Sequence, residues 1–191
     1  DHYFLDFWDH GDGIEGVCWD DTNSHDGLTL PEISVALSQA LDENEKIDII
    51  GFDACLMATI EVAYEIAPYA DFMVASQATE PGHGWAHDKF LSQLKEEPNM
   101  GSKTMGKNIV SGFVEQKSYN KEQTFTLSLT NLSAVQALTD KLDTLANSLS
   151  KNMGSLNADI DTGRANSQPL KEGNNPEVID LFDLCSKLSD A

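Results

Sequence analysis

Positive charge is scarce in this chain. No Lys or Arg occurs before Lys46, whereas twelve acidic residues precede it (Asp1, Asp6, Asp9, Asp12, Glu15, Asp20, Asp21, Asp26, Glu32, Asp42, Glu43 and Glu45). The chain holds 12 Lys and Arg against 32 Asp and Glu, a net charge of -20. Such a field repels nucleic acid and anionic membranes and favours cationic substrates or bound cations; solubility alone is the plainer use of the same charge. Long apolar runs are missing too, since none approaches the roughly 20 residues a membrane helix needs. The chain opens on Asp1-His2-Tyr3 rather than on Met and a basic stretch. That predicts a processed or truncated chain whose export signal lies outside it. Cysteine is limited to Cys18, Cys55 and Cys185. An odd number leaves at least one free thiol, and the lack of a CxxC pair argues against structural zinc.

What is present suits one domain over residues 1–191: the length is sufficient for a real core, and 40% of the residues are hydrophobic. The run Tyr3 to Trp8 predicts a buried strand, followed by a loop over 11–30. Thr29 and Glu32 have capping-box spacing with Pro31 in the first turn, and Ile33, Leu37, Ala40 and Leu41 continue at helical spacing. Strands are predicted at Ile47 to Phe52, Phe72 to Ser76 and Phe125 to Leu129. Helices are predicted over 55–67, 86–96 and 102–116. A long amphipathic helix runs through Leu132, Val135, Leu138, Leu142, Leu145 and Leu149, and a last one through Val178, Leu181, Phe182, Cys185 and Leu188. Residues 152–177, rich in Asn, Gly, Ser and Pro, are expected to form a loop. Strands alternating with helices predict an α/β fold with a mainly parallel sheet.

Active sites in open α/β sheets form beyond the carboxyl ends of strands. The first strand runs into Asp9-His10-Gly11 and the second into Asp53-Ala54-Cys55. If the two strands are neighbours, His10 and Cys55 share one edge of the sheet, where a thiol and its base must meet. The predicted helix 55–67 would add its positive end to Cys55 and favour the thiolate. The residues alone leave a second account open, with Cys55 a small buried hydrophobe and His10 a satisfied turn histidine.

The runs Trp8-Asp9-His10-Gly11-Asp12-Gly13, Ile50-Gly51-Phe52-Asp53-Ala54-Cys55-Leu56-Met57-Ala58, Glu61-Val62-Ala63-Tyr64-Glu65, and Val74 to Gly82 with Gly84-Trp85 resemble the clostripain family of bacterial cysteine peptidases. The block Ile179 to Leu184 resembles the family as well. This likeness implies a caspase-like fold, shared with gingipains and legumains, and a hydrolase. It implies Cys55 as nucleophile, His10 as general base, and the N–H groups of Gly11 and Cys55 as the oxyanion hole. Asp53 matches the residue lining the primary specificity pocket, which in clostripain-like enzymes takes Arg and sometimes Lys; capping the helix begun at Cys55 is the other use of that carboxylate. Trp85 resembles a cleft-wall residue, with a buried core Trp as the alternative. Glu80 lies near enough in sequence to touch substrate.

Two departures from the family pattern shape further expectations. The strands and helices that precede the His-bearing strand are missing, so a separate or absent N-terminal segment is expected to complete the sheet. Positions 11–45 hold no Lys or Arg, so a basic-specific enzyme would not cut itself there. No cofactor is expected. Asp12, Glu15, Asp20, Asp21 and Asp26 offer oxygen ligands for Ca²⁺, without EF-hand spacing. The likeness also implies peptide substrates with basic residues and an extracellular or cell-envelope location. The rival functions are a caspase-like peptidase of other specificity and a non-catalytic acidic Ca²⁺-binding module.

Overall fold

A computed structural model of the chain describes residues 2–116, 125–169 and 178–189. They divide into two compact units, Asp1–Val135 and Gln136–Ala191. In the first unit the order is β1 (Phe4–Trp8), β2 (Val17–Asp20), β3 (Asp26–Leu28), α1 (Leu30–Ala40), β4 (Ile47–Asp53), α2 (Ile60–Ile66), β5 (Ala70–Ala75), α3 (His87–Glu96), α4 (Ser102–Val114) and β6 (Ser128–Asn131). The main sheet has the order β1-β4-β5-β6. β1, β4 and β5 are parallel, and β6 is antiparallel to β5. The expected mainly parallel α/β sheet is therefore present, flanked by helices.

The pleat sorts the core into two layers. Ile50 and Phe52 of β4 and Met73 and Ala75 of β5 pack with Ile33 and Leu37 of α1 and Val62, Ala63 and Ile66 of α2. Ile49 and Val74 turn the other way, against Trp85, Phe90, Met105, Ile109 and Phe113 from the α3–α4 side. With a helix layer on each face, β4 is buried at nearly every position, which is why it reads as an apolar run rather than an alternation. At the start of α1 the Thr29 N–H donates to the Glu32 carboxylate at 3.0 Å, the expected capping box.

Several elements differ from expectation. The helix predicted from residue 55 begins at Ile60, capped by Thr59, whose hydroxyl accepts from the Val62 N–H. Residues 54–58 form a turn instead. Leu56 lies in the left-handed region at φ 65°, and the Leu56 and Ala58 N–H groups donate to Ala78 and Ser76 carbonyls. These long-range bonds compete successfully with a helical turn. Part of the loop expected over 11–30 is the β2–β3 hairpin, in which Trp19 stacks on His25. The strand expected at 125–129 is shifted to β6, whose register against β5 pairs Ser128 with Ala75 and Asn131 with Phe72.

The second unit contains the body of α5 (Val135–Lys151), with α6 (Met153–Asn166) and α7 (Leu181–Ser189). α6 falls inside the stretch expected to be a loop; residues 170–177 of that stretch lie outside the described residues. The Asn, Asp, Ser and Thr content of α6 hides its helical nature from pattern alone, yet Asn166 and Thr162 side chains donate to carbonyls four residues back and run with the helix. Gly163 lies against Leu188 of α7, where a Cβ would stand 3.0 Å from Leu188 Cδ2. Among the described residues no helix is long and apolar enough to cross a membrane.

Candidate active site

Strand register brings His10 and Cys55 to one cavity. β1 and β4 pair in parallel with Phe4 opposite Ile49, Asp6 opposite Gly51 and Trp8 opposite Asp53. Continuing past the last pair by two residues on each chain arrives at His10 and Cys55. Both line a cavity of about 520 Å³ at the carboxyl ends of these strands, together with Trp8, Asp9, Asp53, Glu80 and Gly84. A Cys and a His from segments 45 residues apart therefore share one opening, as the strand-end argument requires.

Each reactive residue is held by backbone contacts. The His10 carbonyl accepts from Cys18 N–H at 2.9 Å, and the His10 N–H donates to Asp9 Oδ1 at 2.7 Å. β2 thus fastens the turn after β1. Gly11 sits directly against the Cys55 carbonyl, and any Cβ there would also lie 3.1 Å from Ala54 Cβ and Met57 Cγ. Only glycine lets the two turns approach this closely. The Cys55 thiol is contacted by the Glu80 N–H, which donates to Sγ at 3.2 Å. Cys55 does not open α2, which starts five residues later; the N–H at its sulfur comes from Glu80 instead.

Beneath the cavity lies an acidic nest that the pleat explains. Residues 6 and 53 share the α3–α4 face with Gly51, whose missing side chain leaves room for Asp6 and Trp85. Asp53 is buried, and its Oδ2 accepts from the Trp85 N–H at 2.9 Å. Trp85 Nε1 donates to Glu80 Oε2 at 2.9 Å. His87 Nε2 lies 3.5 Å from Asp6 Oδ2 and 3.7 Å from Asp53 Oδ2. Burial pushes all three carboxyls upward. Asp6 rises to about 6, chiefly by desolvation and then by the Asp53 charge. Glu80 rises to about 10, by desolvation, then by its hydrogen bond to Asp53 and the Asp53 charge. Asp53 is raised by burial against the opposing Trp85 N–H, Glu80 hydrogen bond and nearby histidines.

Of the residues expected at the site, His10, Asp53, Cys55 and Glu80 line the cavity, and Gly11 packs beneath Cys55. Trp85 does not wall the cleft. It is 3% exposed, within the core layer of Ile49, Phe90 and Phe113, and it serves the site through its two N–H groups. The exposed tryptophan at the opening is Trp8. Asp6 and His87 went unnoticed in sequence; the signal for Asp6 is its place two residues before Trp8 on the strand face that carries Asp53. With the helix start at Ile60, a capping role for Asp53 there falls away. Among the described residues the carboxylates of the 12–26 loop form no group of three whose ligand atoms lie within 4.8 Å of one another. Among the described residues the acid and imidazole group whose ligand atoms lie within 4.8 Å of one another is Asp6, Asp53 and His87.

Comparison with known proteins follows the same lines. A family model described as the Clostripain family matches residues 1–191. Clostripain of Hathewaya histolytica is 36% identical over 114 residues, covering 50% of this chain and 21% of its own length. A secreted C11 cysteine protease from Bacteroides thetaiotaomicron, solved with an irreversible peptide inhibitor, is 27% identical with a TM-score of 0.57, over 72% of this chain and 42% of that one. The inactive zymogen of a C11 protease from Parabacteroides distasonis shares the fold at a TM-score of 0.67 and 20% identity, over 98% of this chain and 49% of its own. The chain thus spans about a fifth of the curated relative and under half of either solved protein.

Proposed function

Since the chain belongs to the clostripain family over its full length, we propose that it carries the catalytic centre of a cysteine endopeptidase cleaving after Arg, and after Lys as a second choice. The observation that supports this most directly is the β1–β4 register, which brings His10 and Cys55 to one cavity together with Asp53. In this mechanism His10 takes the Cys55 thiol proton and the thiolate attacks the substrate carbonyl carbon. The carbonyl oxygen gains negative charge opposite the Gly11 and Cys55 N–H groups. As the tetrahedral centre collapses, the C–N bond breaks and His10 hands its proton to the leaving amine. A thioester remains on Cys55. His10 then removes a proton from water, which attacks the thioester and releases the acid and the thiol. The chemistry is complete in these side chains and calls for no cofactor.

Asp53 supplies the charge for the primary pocket. A buried carboxylate at the base of the cavity suits a guanidinium or ammonium, and the net charge of -20 draws such substrates in. Two further parts of the proposal concern the whole protein. β1 is the outermost strand of the sheet, yet its residues are half-buried and Trp8 is exposed; an N-terminal segment pairing with β1 would extend the sheet. Export to the cell envelope or medium is supported by the secreted relative from Bacteroides.

The test is a panel of peptide amides with Arg, Lys, Asn or Ala before the scissile bond, with wild type and Cys55→Ala. Hydrolysis of the Arg peptide, lost in Cys55→Ala at unchanged circular dichroism, is the expected result. Retained activity in that variant would remove Cys55 as nucleophile. Cleavage confined to Asn or Ala peptides would favour a caspase-like enzyme of other specificity.

A further inference from the structure

Glu80 touches both halves of the site. Its backbone N–H donates to Cys55 Sγ at 3.2 Å, while its side chain accepts from the Trp85 indole and lies beside the Asp53 carboxyl. The backbone N–H of the same Trp85 donates to Asp53 Oδ2 at 2.9 Å, so one tryptophan holds one oxygen of each carboxyl. The other two oxygens, Asp53 Oδ1 and Glu80 Oε1, are buried, and among the described residues no N–H reaches either. Gly84 closes over Asp53 so tightly that a Cβ would stand 2.9 Å from Oδ1. Two ionised carboxylates are acceptors only and cannot hydrogen-bond each other; the pair needs a proton.

We infer that Glu80 is a positioning residue that works as a neutral carboxylic acid: its O–H donates to Asp53, aligns that carboxylate with the cavity and leaves the Asp53–Glu80 pair a single negative charge, while its main chain holds the thiol. The titratable groups facing the pair are Asp6, His83 and His87. The Glu80 carboxyl, pushed up to about 10, and the Asp53 hydrogen bond that favours the ionised form of Asp53 agree with this division of roles. The alternative role for Glu80 is a second carboxylate that binds the substrate cation directly. The two differ in what an uncharged replacement does. A glutamine keeps a donor for Asp53 and an acceptor for the Trp85 indole, but it can never carry charge.

The kinetic half of this inference rests on the peptidase proposal; the protonation half does not. Glu80→Gln and Glu80→Ala are compared with wild type on matched Arg and Ala peptide amides, and infrared difference spectra are recorded on the same proteins. Glu80→Gln is expected to retain most of kcat/KM for the Arg peptide. Glu80→Ala strips the donor from a buried carboxylate and is expected to lose about tenfold to a hundredfold. Wild type at neutral pH should show the carbonyl stretch of a protonated acid, absent in Glu80→Gln. The inference is overturned if Glu80→Gln falls as far as Glu80→Ala on the Arg peptide alone, or if the acid band is missing from wild type. If wild type cleaves no basic peptide the peptidase proposal fails by itself, and the infrared band still decides the protonation of Glu80.

Discussion

Gly11 has no room for a side chain. A Cβ there would overlap the Cys55 carbonyl oxygen and crowd Ala54 and Met57. Gly11→Ala should therefore push the His10 turn away from Cys55, lowering kcat strongly and destabilising the fold by about 1–3 kcal/mol; steady-state kinetics and urea unfolding check both. Asp53 acts one layer deeper. If it holds the cation of the substrate, Asp53→Asn should lower kcat/KM for Arg and Lys peptides by roughly thirtyfold or more, a loss of about 2–5 kcal/mol, and spare an Ala peptide. Equal losses on all three would remove Asp53 from the pocket. Glu80 makes a prediction in pH. Its folded carboxyl holds a proton up to about 10, against an ordinary value of 4.5. Between those values the folded state binds more protons than the unfolded one, so stability contributed at this site falls as pH rises. Thermal midpoints of wild type should decline across that window more steeply than those of Glu80→Gln.

The elements that carry the site were unequally legible. β1 and β4 are visible because FLDFW and IDIIGFD are dense in aromatic and β-branched residues. Their ends, hence His10 and Cys55, follow directly. The turn between Asp53 and α2 was not legible: LMATIEVA continues a helical pattern backwards to Cys55, and only the bonds from Leu56 and Ala58 to Ala78 and Ser76 interrupt it. The residues that interrupt it lie some 20 positions away, beyond any local periodicity. Helix α2 then depends on its own cap. Thr59→Ala should cost about 1 kcal/mol of unfolding free energy by removing the acceptor for Val62 N–H, measurable in urea. The β2–β3 hairpin escaped notice because its strands are only four and three residues long, VCWD and DGL, with positive φ at Cys18, Ser24 and His25.

At the scale of the whole molecule, charge is the dominant property. With 32 acidic residues against 12 basic ones, the field favours cationic peptides, and screening should weaken it. Raising ionic strength, with a Debye length of about 10 Å at 0.1 M, should lower kcat/KM for an Arg peptide and leave a neutral one nearly unchanged. A salt-independent ratio would confine electrostatic selection to the pocket. Within the acidic hairpin the Thr22 hydroxyl donates to Asp20, and His25 is hydrogen-bonded to Asp21. Activity on the Arg peptide should survive EGTA, and a loss restored by added Ca²⁺ would reinstate the 12–26 loop as a ligand set.

By itself the sequence determined β1, β4 and β5, the mainly parallel arrangement of the sheet and the residues that follow β1 and β4, because apolar density and turn residues act over a few positions. It also carried the family likeness in the runs around His10, Cys55 and Trp85. Only the tertiary structure decided how the pocket is made. Trp85 turned inward, Asp6 and His87 joined Asp53, and Glu80 came to touch both the thiol and the buried carboxylate. The reason is desolvation: a carboxyl keeps or yields its proton according to what covers it, and that cover is assembled from β1, β4 and the 80–87 segment only when the chain closes on itself.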